Sequence, residues 1–436
     1  MLYRILRFII GNGMRLYYRE IKVKNKITLN QKGPMIIVAN HPNTLIDAWI
    51  IAYNTRKPVY YLTKGTFFNN LLKKWILKQL YMIPINRTID SKTSGVDNRS
   101  SFEACYEVLE NGGTLVIFPE GNSMMENTLR DLKTGTARIA LETLKRGKIN
   151  TPLKICPVGF FYSKGHRFRS AVLANVGETF TIEEFESSYS EASTETAKTL
   201  TNRIKESLEN LIVGTEHQEQ EKRIERILHA LQTFKKTKSI EIKQQEYKLV
   251  KQRIQYLQMN DPSLLLEIES NLEKLEWSIE HFNIHPKTII EARNEAAGLR
   301  FLIRPILILL GLPFFLLGTA TNIIPYKLTQ FLMPKLVSTR EYYAPVAILL
   351  GIILYPLNYL FILFVLMNYL NWSALLLIGC IPVMAASGIF AFHFSKYLKQ
   401  IRSRAEIQFS RKLKSGIIQQ IEESIEYLKM HIFPSE

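Results

Sequence analysis

The chain has 436 residues, 47% of them hydrophobic, and a formal charge of +17. That much apolar material excludes disorder as the dominant state and allows two or three structural units, while the charge calls for an acidic partner: nucleic acid, a phospholipid surface, or a phosphorylated, CoA-like substrate. Cys105, Cys156 and Cys380 stand far apart without CxxC spacing, which argues against a disulfide framework or a zinc site.

Residues 1–30 open the chain. Met1 to Asn12 carries Arg4 and Arg7 in a short apolar run with no small-residue cleavage site, so a secretory signal is not expected. Read as a helix, Leu2, Ile5, Leu6, Ile9 and Ile10 share a face. That face suits a helix lying in the membrane interface and equally one packed on its own domain.

Residues 31–215 alternate short apolar runs with helical periodicity. Met35 to Ala39, Val59 to Leu62, Leu115 to Phe118 and Ile155 to Gly159 have strand length and apolar, largely β-branched or aromatic composition. Leu45 to Tyr53, Phe67 to Leu80, Arg99 to Leu109 and Leu132 to Leu144 read as helices, with Asn111-Gly112-Gly113 as a stop signal. The pattern predicts an α/β domain with a largely buried sheet.

Residues 216–300 are charged and helical in period, with a break at Asn260-Asp261-Pro262, and predict an accessory helical region open to a protein partner. Residues 342 to 395 then contain no Asp, Glu, Lys or Arg over 54 positions, against the roughly 20 that one membrane span needs. Two spans are expected, at about 344–367 and 373–394, within a membrane region 301–395. The stretch 301–320 carries Arg304 and Gly311-Leu312-Pro313, and both flanks of the hairpin are basic, so it is expected to be re-entrant or interfacial. A basic helical tail, 396–436, closes the chain.

The chemistry concentrates near the start of the α/β region. Asn40-His41 follows the strand Met35 to Ala39, and Asp47 is the single carboxylate between Glu20 and Asp90, in a stretch holding eleven Lys and Arg. An imidazole that takes a proton from a hydroxyl needs a carboxylate to fix its tautomer and stabilise its cation. Arg87, after Ile83-Pro84-Ile85-Asn86, has the planar fork that grips phosphate, although an isolated Arg is more often a surface residue. Phe118-Pro119-Glu120-Gly121 closes another strand, where Glu120 can accept from a hydroxyl or fix an Arg and Gly121 allows a tight backbone path. His166, beside Arg167, reads as part of a basic loop and His393 as an interfacial side chain.

In this order, together with an apolar strand containing Pro157 and a Lys133-Thr134-Gly135-Thr136-Ala137-Arg138 helix start, these motifs resemble the glycerol-3-phosphate and lysophosphatidic acid acyltransferase superfamily over roughly residues 1–213. The resemblance implies an acyltransferase-type sheet flanked by helices, followed here by the helical accessory region and the C-terminal membrane hairpin. It implies transfer of a fatty acyl group from acyl-CoA or acyl-carrier protein, as co-substrate and without another cofactor, to a glycerol-phosphate lipid. His41 is then the general base and Asp47 its orienting acid. Asn40, Asn86, Arg87, Glu120, Gly121, Lys133, Arg138 and Pro157 become substrate-binding or supporting residues, with Arg87 on the acceptor phosphate and Pro157 behind the acyl pocket.

Two departures stand out. The commonest spacing in that family puts four residues between His and Asp, whereas five, Pro42 to Ile46, separate them here; the longer spacing resembles some glycerol-phosphate acyltransferase branches. A loop or bulge must absorb the extra residue, since a helix turns about 100° per residue. Asn122-Ser123-Met124 stands where many members place Thr-Arg, which shifts phosphate binding to Arg87, with Arg130, Lys133 or Arg138 as substitutes.

The expectation is therefore an integral membrane enzyme with its catalytic domain on the cytoplasmic face, acting on lysophosphatidic acid. That acceptor is preferred to glycerol 3-phosphate because the chain is membrane-anchored and lacks a large soluble N-terminal domain. A nucleic-acid partner is disfavoured by the uncharged hairpin and the lack of binding motifs. A non-catalytic scaffold on the same fold draws its best support from the five-residue spacing.

Overall fold

Five consecutive apolar residues, Met35 to Ala39, have no polar face to turn to water, and the computed structural model buries all of them in the middle of a sheet. The structure describes residues 2–85, 98–215, 217–232, 239–281, 300–370, 374–410 and 415–433. These fall into two units: Met1–Gln218 with Ser239–Gln244 and Val337–Ile348, and Glu219–Lys238 with Gln245–Leu336 and Leu349–Glu436.

In chain order the first unit runs α1 (Leu2–Tyr17), β1 (Glu20–Lys24), β2 (Met35–Ala39), α2 (Thr44–Asn54), β3 (Tyr60–Lys64), α3 (Leu71–Gln79), β4 (Met82–Ile85), α4 (Arg99–Glu110), β5 (Thr114–Ile117), α5 (Gly135–Lys145), β6 (Lys154–Tyr162), β7 (Ala171–Val176), β8 (Phe180–Thr181), α6 (Glu186–Glu191) and α7 (Ser193–Glu209). The strands form one eight-stranded sheet in the order β1-β7-β6-β2-β5-β3-β4, with β8 also on β6. β2 is parallel to both β5 and β6, while β7 returns antiparallel on β6. Ile36, Val38, Leu115, Ile117 and Ile155 of the sheet share one core with Leu109 of α4, Ile139 and Leu144 of α5, and Leu200 and Ile204 of α7.

The fold draws the first domain boundary differently from the expectation. Residues 20–24 are not a lead-in but β1, paired with β7, because Ile21 and Val23 alternate with Glu20, Lys22 and Lys24 at the strand period. Helix α1 docks on α2, where Gly11 comes so close to the Tyr53 ring that a Cβ would fall 2.2 Å from it, and Arg7 donates to the Thr55 carbonyl at 2.6 Å. Its other side leaves Ile5, Phe8, Ile9 and Leu16 exposed. The helix thus has a packed face and, beside it, exposed apolar side chains.

The remaining helices are α8 (Gln218–Gln232), α9 (Ile240–Asn260), α10 (Pro262–His281), α11 (Arg300–Leu336), α12 (Tyr343–Leu370), α13 (Ala374–Ser410) and α14 (Ser415–Ile432). Charged partners join the first of these: Arg226 forks onto Glu276 at 2.6 and 3.0 Å, and Arg223 meets Glu269 at 2.5 Å. α14 returns to α10, where the Tyr427 hydroxyl donates to Glu267 at 2.9 Å.

The stretch 301–320 lies inside α11, a single helix of 37 residues, rather than in a shorter element broken at Gly311-Leu312-Pro313. Close packing on α13 sustains it. Gly311 abuts the Phe394 ring, and a Cβ on Gly318 would fall 2.0 Å from the Ser387 carbonyl oxygen, the close approach that small residues allow between apolar helices. Asn322 joins three helices, donating to the Gly318 and Met384 carbonyls at 2.9 Å each and accepting from the Tyr359 hydroxyl at 2.6 Å. Among the described residues three helices are long and apolar enough to cross a membrane: Pro305–Leu336, Arg340–Tyr369 and Leu376–Arg402. Outward side chains such as Leu309, Phe314, Phe361, Phe364 and Leu376 remain apolar and exposed.

Gly318→Ala should cost about 1–3 kcal/mol, the range for forcing a methyl into a filled contact, and lower the thermal midpoint in detergent. Gly379→Ala, at a helical site with nothing within 4 Å, is the control and should hold or slightly raise the midpoint, since alanine is the better helix former.

Candidate active site

Val38 of β2 lies opposite Ile117 of β5, so the loops that follow these parallel strands leave the sheet side by side. Carboxyl ends of parallel strands are where open α/β sheets present their ligand sites. Here the two loops carry Asn40-His41 and Phe118-Pro119-Glu120-Gly121.

Asn40 extends the sheet with its side chain. Its Oδ1 accepts the Phe160 N–H at 2.7 Å and its Nδ2 donates to the Phe160 carbonyl at 3.1 Å, holding the end of β2 to β6. Both polar ends are occupied, which makes Asn40 a strut between the two strands.

His41 is gripped from two sides. Its main-chain N–H donates to Glu120 Oε1 at 2.8 Å, its ring stacks on Phe118 at 3.8 Å between centroids, and its Nδ1 lies 3.0 Å from Asp47 Oδ2. The His41 side chain keeps 16% of its surface exposed and Asp47 none. A buried carboxylate on Nδ1 fixes the proton there and leaves Nε2 as the basic nitrogen.

The five-residue spacer closes through one unusual backbone angle. Thr44 has φ +40, so the chain turns sharply into α2 and puts Asp47 in its first turn. Ser123 Oγ accepts the Thr44 N–H at 2.9 Å, and Thr44 Oγ1 donates to the Glu341 carbonyl at 2.9 Å. The extra residue is thus taken up in a loop, as a helical path would not permit.

Asp47 receives two further donors, the Asn43 N–H on Oδ2 at 2.7 Å and the Tyr162 hydroxyl on Oδ1 at 2.5 Å. Burial, then the Asp47 charge, push the Tyr162 phenol well above its ordinary range, so it remains a donor. The Asn43 amide in turn donates to the buried Tyr18 hydroxyl at 2.9 Å.

Glu120 is also buried, and burial raises its carboxyl above the ordinary value against the opposing pull of the His41 N–H and of Arg130. Arg130 Nε stands 3.2 Å from Glu120 and 3.3 Å from Glu126, and its Nη2 donates to the Asn122 carbonyl at 3.0 Å. Two carboxylates neutralise this guanidinium, which therefore makes a poor substitute phosphate ligand. Gly121, at φ +80, passes over the Lys133 side chain, where a Cβ would fall 2.7 Å from Nζ. Lys133 is exposed.

The fold thus brings His41, Asp47, Asn40, Glu120, Gly121 and Lys133 together. Pro157 is not among them: it is buried within β6, in register with Val38, and its ring packs against Gly177. Arg138 sits exposed on α5, near Tyr189. Asn86 and Arg87 lie outside the described residues. Sequence reasoning missed Asn43, Ser123 and Tyr162. Only Tyr162 left a trace, since it follows Phe160 at the two-residue period on the strand that neighbours β2.

Residues 20–160 match the family model described as Acyltransferase. Glycerol-3-phosphate O-acyltransferase 2 of Saccharomyces cerevisiae is 28% identical over 114 residues, 26% of this chain and 15% of that protein. Glycerol-3-phosphate O-acyltransferase 1 of the same yeast is 34% identical over 88 residues, 20% of this chain and 11% of that protein. The alignments thus span well under a fifth of these relatives' own length. The crystal structure of the 1-acyl-sn-glycerophosphate acyltransferase PlsC from Thermotoga maritima covers 48% of this chain and 80% of its own at 18% identity, with a TM-score of 0.34, a likeness too loose to bear on function.

Tyr162→Phe removes one of three donors from a buried carboxylate, a loss of about 1.5–3 kcal/mol for bonds to charged groups. The thermal midpoint should fall by a few degrees; an unmoved midpoint would show that the hydroxyl does not hold the acid.

Proposed function

We propose that this chain, whose residues 20–160 match the Acyltransferase family model, transfers a fatty acyl group from a thioester to the free hydroxyl of lysophosphatidic acid at a membrane surface. The observation that carries this reading is the His41–Asp47 contact of 3.0 Å, with the acid fully buried and the imidazole partly open. A scaffold that had lost catalysis would have no need of it. The long spacer, the best argument for such a scaffold, folds so as to make the pair.

In this mechanism His41 Nε2 takes the acceptor's proton as its oxygen attacks the thioester carbonyl. The carbon–sulfur bond breaks as the ester forms, and the thiolate of coenzyme A or acyl-carrier protein leaves, taking up the proton from His41. Asp47 holds Nδ1–H throughout and stabilises the transient imidazolium. Glu120 fixes the height of His41 through its main chain.

The membrane arrangement follows from where the chain returns. Glu241 pairs with Lys24 on β1 at 2.9 Å, and the Glu341 carbonyl accepts from Thr44, so both ends of the stretch between them belong to the α/β unit. An even number of crossings separates them. Among the described residues of that stretch α11 alone is apolar enough to cross, so we read it as an unbroken helix that enters the bilayer against α13 without completing a crossing. α14 likewise returns to α10, which makes α12 and α13 a crossing pair. Lys327, Lys335, Arg340, Lys396 and Lys399 around the pair favour a cytoplasmic face for the catalytic unit under the positive-inside rule.

Glycerol 3-phosphate is the second reading, favoured by the names of the two yeast relatives. Lysophosphatidic acid is preferred because Thr44 ties the catalytic turn to the residues that open the apolar helix α12. Purified protein offered each acceptor separately with acyl-CoA should yield phosphatidic acid from lysophosphatidic acid. His41→Ala should lower that rate about 10²–10⁴-fold, the usual worth of a general base. Acylation of glycerol 3-phosphate alone would install the second reading, and an unchanged rate in His41→Ala would retire His41 as the base.

A further inference from the structure

Two more loops reach the catalytic turn. In the connection between β6 and β7, the Gly165 carbonyl accepts from Tyr18 at 2.9 Å and from the Asn43 amide at 3.4 Å. Ahead of α12, the Glu341 carbonyl meets Thr44. The Met124 N–H donates to the His41 carbonyl at 3.2 Å, and the next residue, Met125, places its sulfur 3.3 Å from His166 Nδ1. Residues 164–167 and 340–342 therefore share one rim beside the Asn43-Thr44 turn that follows His41, all within the first unit.

The rim is cationic with apolar edges. Lys164, Arg167 and Arg340 are exposed, and among the described residues no carboxylate lies within ion-pair distance of Arg167 or Arg340. Burial, then the charges of Arg167, Arg340 and Lys164, hold the His166 imidazole below its ordinary value, a sign that these cations act on one small region. Leu45, Met124 and Tyr342, next to residues of this turn and rim in the chain, leave 37%, 39% and 40% of their surface open. Arg130 differs from Arg167 and Arg340 in being spent on Glu120 and Glu126. Arg340 also opens the apolar stretch Arg340–Tyr369, the height at which lipid headgroups lie.

We infer that Arg340 and Arg167 hold the phosphate monoester of a membrane-resident acceptor, with Leu45, Met124 and Tyr342 taking the first carbons of its chain. Two guanidinium forks suit a dianionic phosphate better than point charges do. The inference rests on the acyltransferase reading and narrows its substrate to an anionic single-chain lipid. Arg167 and Arg340 come from loops 173 positions apart in the chain, so neither marks the site without the other.

The test uses the full chain in phosphatidylcholine vesicles, with lysophosphatidic acid and the phosphate-free monoacylglycerol as competing acceptors. Arg340→Gln should reduce the kcat/KM preference for the phosphorylated acceptor about tenfold, mainly through KM, and Arg340→Lys should recover part of it, as expected for a charge-assisted bond. An equal loss with both acceptors would overturn the inference. So would a loss seen only when phosphatidylglycerol is added to the vesicles, which would assign the arginines to bulk lipid. Binding of short-chain lysophosphatidic acid to His41→Ala, followed by calorimetry, is independent of turnover: adding Arg340→Gln should weaken it several-fold, and unaltered affinity overturns the phosphate site. A wild type that binds through Arg340 yet acylates neither acceptor refutes the acyltransferase reading and spares the phosphate site.

Discussion

An ionised carboxylate with no exposed surface persists only where donors replace the water it has lost. Asp47 is such a group, and its donors come from three parts of the chain: the Tyr162 hydroxyl at the end of β6, the Asn43 N–H before α2, and the His41 ring after β2. Satisfying the acid fixes each of them in place. The orientation of the imidazole is thus a consequence of solvating a buried charge. Glu120 repeats the arrangement on the other side, since its burial is relieved by the main-chain N–H of the same histidine. Two buried acids hold one residue, one by its ring and one by its backbone.

The sheet makes this economical. Because β2, β5 and β6 are parallel neighbours in register, the residues that follow the first two and those on the third converge without any long loop. Asn40 prolongs the ladder past its last regular pair, which carries the rigidity of the strand up to His41 itself. The apolar helices serve a different end. Their close contacts at Gly318 and Asn322 join segments far apart in the chain, while large apolar side chains remain outside, a division suited to a lipid surround.

Much of this was legible in the sequence, for stated physical reasons. Met35 to Ala39 and Leu115 to Phe118 announce buried strands because nothing in them tolerates water, and the polar residues that follow had to sit at strand ends. The charge-free run after residue 341 announced helices for the same reason. β1, β4 and β7 were harder. Glu20 to Lys24 is half charged and Met82 to Ile85 contains a proline, the marks of edge strands, which pattern counting ranks low. Asn43 could not be found from local pattern and Tyr162 only by its strand period, since their role depends on a partner brought by the fold, 115 positions away for Tyr162. Arg130 shows the converse: its residue type suggested phosphate, and only coordinates reveal that two acids already occupy it.

Thr44 carries a last implication. A β-branched residue in the left-handed region is strained by about 1–3 kcal/mol, and it stays there because neighbours over-determine it. One of those neighbours, the Glu341 carbonyl, arrives from almost 300 positions downstream, at the doorstep of an apolar helix. The turn that sets the His41–Asp47 pair is therefore held in part by the segment that leads into an apolar helix. A fragment trimmed for solubility ahead of residue 337 would keep every atom of the His–Asp pair and lose a prop that keeps it cocked.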